Sequence, residues 1–115
     1  MQDIKNALDY GIPGEKLVAG LPFYATQGKG AAGTKAYRSL VEEHLITHPD
    51  TDEIIFKESK YTFNGQTTIH KKVLHAKELK LRGIMSWDLA TDCAYTNQWS
   101  LQRTVVESLL PPSSR

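Results

Sequence analysis

Two short apolar runs constrain this chain's fold more than any other feature of its sequence. Leu17-Val18-Ala19-Gly20-Leu21 follows a helical pattern and a tight turn, and it shows no polar alternation. Such a run suits a strand buried on both faces, as in parallel sheets. Gly83-Ile84-Met85-Ser86-Trp87-Asp88-Leu89 is the second run, again preceded by a helical pattern. Strands that alternate with helices imply parallel pairing through helical crossovers. Two core strands are few for such a sheet, which wants both faces covered and neighbours along its edges.

The remaining segments fill in the order helix, strand, helix, ribbon, helix, strand, helix. Asp3 to Tyr10 carries Ile4, Ala7 and Leu8 on one helical face, with Gly11 as its stop and Pro13-Gly14 continuing the turn. Pro22 cannot donate a ladder hydrogen bond and marks the end of the first strand. Phe23-Tyr24-Ala25 leaves that strand for a small-residue loop, Thr26 to Gly33. A second helix is expected from Thr34, with Tyr37, Leu40, Val41, His44 and Leu45 at helical spacing and His48-Pro49-Asp50 ending it. Glu53 to Lys57 and Tyr61-Thr62-Phe63 have strand character and can pair as a ribbon, with Asn64-Gly65 a turn signal. Thr67 or Thr68 is expected to cap a third helix reaching Leu79 or Leu81, its buried stripe being Ile69, Val73 and Ala76. Arg82-Gly83 breaks it. The last helix is expected from about Asn97 to Leu110, and 111–115 as a disordered tail.

Charge and composition narrow the function classes. A formal net charge of +1, with basic and acidic residues interspersed, offers no footprint for nucleic acid or an anionic membrane. No apolar run approaches the roughly 20 residues of a membrane-spanning helix. The single cysteine, Cys93, excludes an intrachain disulfide, and four scattered histidines do not make a zinc pattern. No basic-then-apolar signal segment opens the sequence. Met1 leads directly into a helical pattern, which reads as a chain that starts inside a longer one.

Several local patterns offer chemistry. Gly28-Lys29-Gly30-Ala31-Ala32-Gly33 contains Gly-x-Gly-x-x-Gly between a strand and a helix. Its first glycine lies too far past the strand end for a dinucleotide fingerprint, and a surface loop is the simpler reading. His44 and His48 are four apart, but no Glu between them completes a zinc helix. No Gly-x-Ser-x-Gly elbow is present. Ligands of alternating strand–helix folds bind beyond the carboxyl ends of the strands. Phe23-Tyr24 and Trp87-Asp88 stand at those ends. Aromatic rings beside polar partners grip sugars, the ring packing on the C–H face while carboxylates bond the hydroxyls. The plainer alternative is that these aromatics pack a core.

Gly11-Ile-Pro-Gly-Glu-Lys-Leu-Val-Ala-Gly-Leu-Pro-Phe-Tyr24 and Gly83-Ile-Met-Ser-Trp-Asp-Leu-Ala-Thr-Asp92, in that order, resemble family 18 glycoside hydrolases, the chitinase family. The first is similar to that family's seventh barrel strand and the second to its eighth. Tyr61-Thr-Phe-Asn-Gly65 looks like the segment before the seventh barrel helix. The resemblance implies an α/β fold: an incomplete (β/α)8 TIM barrel, its C-terminal portion over 1–110, with a small β insertion. It also implies a sugar cleft in which Trp87 forms the floor, Tyr24 and Phe23 lie at the rim and Asp88 stands beside them. Family chemistry is retaining hydrolysis of β-1,4-linked N-acetylglucosamine, with the substrate's acetamido group as nucleophile and no cofactor or metal.

The family's catalytic Asp-x-x-Asp-x-Asp-x-Glu run is absent from this sequence, the nearest acidic cluster being Asp50-Thr-Asp-Glu53. Its Met-x-Tyr-Asp segment is absent too, and Ala25-Thr26 replaces the usual Gly-Arg. The expected role is therefore glycan contact without catalysis by this chain, from an exported (extracellular or periplasmic) parent enzyme. A non-catalytic glycan-binding relative and an independent small α/β module are the alternatives. With two parallel strands and open edges, the isolated chain is expected to self-associate.

Overall fold

A computed structural model describes residues 2–27, 34–56, 58–87 and 89–110. The helices are α1 (Gln2–Tyr10), α2 (Tyr37–Glu42), α3 (Gln66–Glu78) and α4 (Leu101–Leu109). The strands are β1 (Val18–Pro22), β2 (Tyr24–Thr26), β3 (Thr34–Ala36), β4 (Glu53–Phe56), β5 (Ser59–Thr62) and β6 (Gly83–Trp87). Two sheets form. β1 and β6 pair in parallel from Val18–Gly83 to Pro22–Trp87. The other four strands make an antiparallel sheet in the order β3-β2-β5-β4.

The pairing of the two apolar runs and the β4–β5 ribbon match the sequence reading. The segment after Pro22 does not. Tyr24–Thr26 is a strand, paired with Thr34–Ala36, where a loop and a helix start were expected. Three-residue strands carry too few positions for a period-two signal to register. α2 is also shorter than its apolar spacing suggested, because the chain turns at His44 with φ 57°. Leu45 N–H then reaches back to the Leu40 carbonyl at 2.9 Å and seals the helix end. Lys80, with φ 56°, ends α3 by the same device, ahead of the expected break at Arg82-Gly83. Among the described residues only α1 is followed by a left-handed glycine, Gly11 at φ 107°.

The start of α3 departs from expectation in an informative way. Gly65 is the cap position, and Thr67 and Thr68 lie within the first turn. Their hydroxyls donate to Asp50 and Asp52, and Asp52 also accepts the Gly65 N–H at 2.9 Å. A Cβ on Gly65 would sit 2.0 Å from the Thr51 carbonyl oxygen, so no other residue fits that approach. The acidic cluster of the sequence thus satisfies amide and hydroxyl donors at a helix N-terminus, where negative charge is favourable.

One core joins both sheets and three helices. Leu21, Phe23, Ala25, Tyr37, Leu40, Phe63, Ile69, Val73, Leu101 and Val105 are buried within it. Tyr37 is fully buried, its ring 5.9 Å from that of Phe63 and its hydroxyl donating to the Trp99 carbonyl at 2.8 Å. α3 and α4 pack together, and His70 Nδ1 lies 2.7 Å from Ser108 Oγ between them.

Asp92 closes the fold at the start of α4. The residue is 6% exposed, and its carboxylate accepts from the Cys93, Leu101 and Gln102 amides, each at 2.9 Å, and from the Ser100 hydroxyl at 2.8 Å. Ser100 in turn accepts the Arg103 N–H at 3.1 Å. The three N-terminal amides of α4 are therefore satisfied by a cap and by a carboxylate eight residues upstream of it. Asp92→Asn replaces an acceptor oxygen with a donor facing donors. We expect a loss of roughly 2–4 kcal/mol of stability, read by urea unfolding. A loss below the error of the method would mean that α4 does not depend on this cap. Lys80→Gly relieves a left-handed non-glycine residue and is expected to raise stability by up to about 1 kcal/mol in the same assay.

Candidate functional site

The carboxyl ends of β1 and β6 lie side by side because Pro22 is in register with Trp87. Phe23 N–H extends the ladder by donating to the Trp87 carbonyl at 2.6 Å. Alternation along the strands then sorts the side chains. Ala19 and Leu21 are buried toward the helices, while Val18, Met85 and Trp87 remain exposed on the other side. Trp87 is 38% exposed, and its ring leans back across Gly20: a Cβ there would meet Cζ3 at 2.7 Å. Only a residue without a side chain leaves room for that ring position. The indole therefore lies along the sheet face, presenting an apolar ring at a strand end.

The other sequence-derived candidates separate. Tyr24 is half-buried on β2, one residue beyond Phe23, and pairs with Ala36. Phe23 is fully buried in the core and has no surface to offer a ligand. The two-residue aromatic motif is thus split, because successive residues of an extended segment point to opposite sides. Asp88 and the glycine-rich stretch 28–33 lie outside the described residues.

Supporting groups surround the strand ends that sequence inspection did not single out. Asn64 donates to the Pro22 carbonyl at 3.2 Å and accepts from Lys72 Nζ at 2.7 Å. Ser86 donates to Gln102 Oε1 at 3.0 Å, tying β6 to α4. Trp99 is half-buried beside a groove of about 490 Å³ lined by Val41, His44, Asn97 and Gln98. Asn64 stood in a turn signal and Trp99 in a presumed helix, so neither carried a functional mark. A further groove of about 340 Å³ lies between α3 and α4 and includes His70 and Ser108. Trp87 lines neither groove.

The remaining reactive groups are quiet. Cys93 is buried, and burial first, then the Asp92 charge, pushes its thiol up to about 12. A protonated buried thiol is a poor nucleophile and a poor metal ligand. Burial likewise raises the Tyr37 phenol above its ordinary value. His44 sits beyond the end of α2 and His48 in a loop, so they share no helix face. Among the described residues no cluster of three His, Cys, Asp or Glu could hold a metal ion. No helix among them is long and apolar enough to cross a membrane.

No protein-family profile and no curated protein matches the sequence. Solved structures do match. The chain is similar to a chitinase from Bacteroides thetaiotaomicron, at 24% identity and a TM-score of 0.81, over 99% of this chain and 38% of that one. It is also similar to the GH18 chitinase ChiB from the chitin utilization locus of Flavobacterium johnsoniae, at 27% identity and a TM-score of 0.72, over 91% and 32% of the two chains. Human YKL-39, described as a pseudo-chitinase with retained chitooligosaccharide binding properties, matches in fold at 19% identity and a TM-score of 0.72, over 92% and 38%. The chain spans about a third of the length of these matched chains. Over nearly its whole length the chain is thus similar in fold to part of family 18 chitinases and chitinase-like proteins, the same family that its two ordered motifs resemble.

Proposed function

We propose that the chain supplies the seventh and eighth strands, β1 and β6, of a (β/α)8 glycosidase barrel, together with part of its glycan-binding cleft. Residues 1–110 belong to the barrel in this reading, and the expected tail, 111–115, lies outside the described residues. The observation that carries it is the Trp87 ring laid across Gly20 at the shared carboxyl end of two parallel strands. That end of a barrel is where substrates bind. The open face of Val18, Gly20, Met85 and Trp87 becomes barrel interior, and the antiparallel sheet with α2 becomes the insertion after the seventh strand.

Within that cleft Trp87 is the floor beneath an N-acetylglucosamine ring, Tyr24 a rim contact and Asp88 a hydroxyl partner. Phe23, being buried, backs the cleft wall instead of touching sugar. The parent cleaves β-1,4-linked N-acetylglucosamine glycans with retention, the substrate's acetamido group acting as nucleophile. The proton donor of such a mechanism belongs to an acidic motif absent from this sequence, so these residues bind and orient but do not hydrolyse. No cofactor enters. We place the parent outside the cytoplasm; one similar solved protein, from a Paenibacillus species, is described as cell-surface-expressed. A second reading, a non-catalytic glycan binder, is supported by the fold match to a pseudo-chitinase. Glycan release by the longer parent polypeptide separates the two.

Calorimetric titration of the chain with N-acetylglucosamine oligomers tests the shared cleft. Trp87→Ala is expected to weaken binding by roughly 1–3 kcal/mol, through lost burial and ring packing. Gly20→Ala, which displaces the ring without removing it, should weaken binding by less. Unchanged affinity in Trp87→Ala would move that residue to a purely structural role. Sedimentation is expected to show the isolated chain self-associating, since each strand of the parallel pair has an unpaired outer edge in the two-stranded sheet. A stable monomer at high concentration would contradict this.

A further inference from the structure

The Trp99 groove lies apart from the cleft proposed above, and neither Trp87 nor Tyr24 lines it. Its wall is the turn 97–99, held almost entirely through the main chain. Trp99 N–H donates to Asn97 Oδ1 at 2.8 Å, and the Trp99 carbonyl accepts from the buried Tyr37 hydroxyl at 2.8 Å. The Gln98 carbonyl accepts from Gln66 Nε2 at 2.7 Å. The turn is thereby fixed before any ligand arrives, which lowers the entropy lost on binding. Opposite stand Val41 and His44, and the left-handed φ of His44 ends α2 there.

The lining defines the ligand chemistry. An indole, an isopropyl group, two planar amides and an imidazole surround about 490 Å³, within the range of small-molecule sites. Among the described residues no Lys, Arg, Asp or Glu lines it, so none of them brings a charge to recognise a phosphate, a carboxylate or an amine. Aromatic area with neutral donors and acceptors fits an uncharged polyhydroxylated ring. We propose that this groove is a second glycan-binding site, using Trp99 as its platform and His44, Asn97 and Gln98 as hydroxyl partners. This rests on the glycan reading of the chain and adds to it a contact whose lining is separate from that of the strand-end cleft, suited to holding a long chain or an insoluble surface.

The two tryptophans of the sequence allow the sites to be read separately. In nitrogen-15-labelled protein, the indole N–H signals of Trp87 and Trp99 are followed during titration with the N-acetylglucosamine tetramer. The Trp99 signal is expected to shift saturably, and to keep its midpoint within twofold in Trp87→Ala. His44→Ala combined with Gln98→Ala, both at exposed positions, should weaken the Trp99 response at least tenfold and leave that of Trp87 unchanged. Raising salt should leave the Trp99 midpoint unchanged, because no charge pair forms. A static Trp99 signal beside a titrating Trp87 overturns the second site and spares the cleft. A Trp99 shift that vanishes in Trp87→Ala also overturns it, since the change would then be transmitted from the cleft. If neither signal moves, both sites fall.

Discussion

Everything in this molecule depends on the parallel pairing of β1 with β6. Parallel strands cannot be joined by a tight turn, so residues 23–82 must leave one strand end and return to the start of the other. The returning element is α3, which packs with β6 and α4 and covers one face of the pair. The rest of that excursion folds into its own antiparallel sheet, rooted at Phe23, whose amide still belongs to the parallel ladder and whose ring is buried in the common core. One residue thus couples the two sheets.

The same pairing makes the site. In-register strand ends bring Pro22 and Trp87 together, and the missing side chain of Gly20 leaves room for the edge of the indole. Behind it, polar groups are paired throughout: Asn64 and Lys72 at the Pro22 carbonyl, Gln102 at Ser86 and Asp92 on the first turn of α4. Among the described residues no buried side-chain nitrogen or oxygen lacks a partner. The contrast with the exposed apolar face of Val18, Met85 and Trp87 is physical. An uncovered apolar face on a parallel pair beside a satisfied interior is the surface that further elements cover in parallel sheets.

The fold was legible where the signal was long or chemically distinctive. The two apolar runs, the Gly11 stop, the β4–β5 ribbon and the Ile69-Val73-Ala76 stripe all follow from residue type and spacing. Where short range competed with long range, sequence reading failed. β2 and β3 are too short to show alternation and exist because they pair with each other. His44 and Lys80 carry no stop signal, yet both take left-handed backbone at a helix end that the next residue's N–H closes onto the last turn. Thr67 and Thr68 looked like caps, but Asp50 and Asp52, brought in by the preceding loop, took their hydroxyls.

By itself the sequence determined the alternating α/β class, the parallel partners and the ordered aromatic motifs that resemble family 18 glycoside hydrolases. Each of these depends on local composition or on spacing along the chain. Only the tertiary structure decided that Phe23 is core while Trp87 is surface, that Asp92 caps a helix, and that Trp99 stands beside a groove with His44. Those are facts about which residues distant in sequence become neighbours. They depend on the register of β1 against β6 and on the path of the long connection between them, neither of which any local stretch encodes.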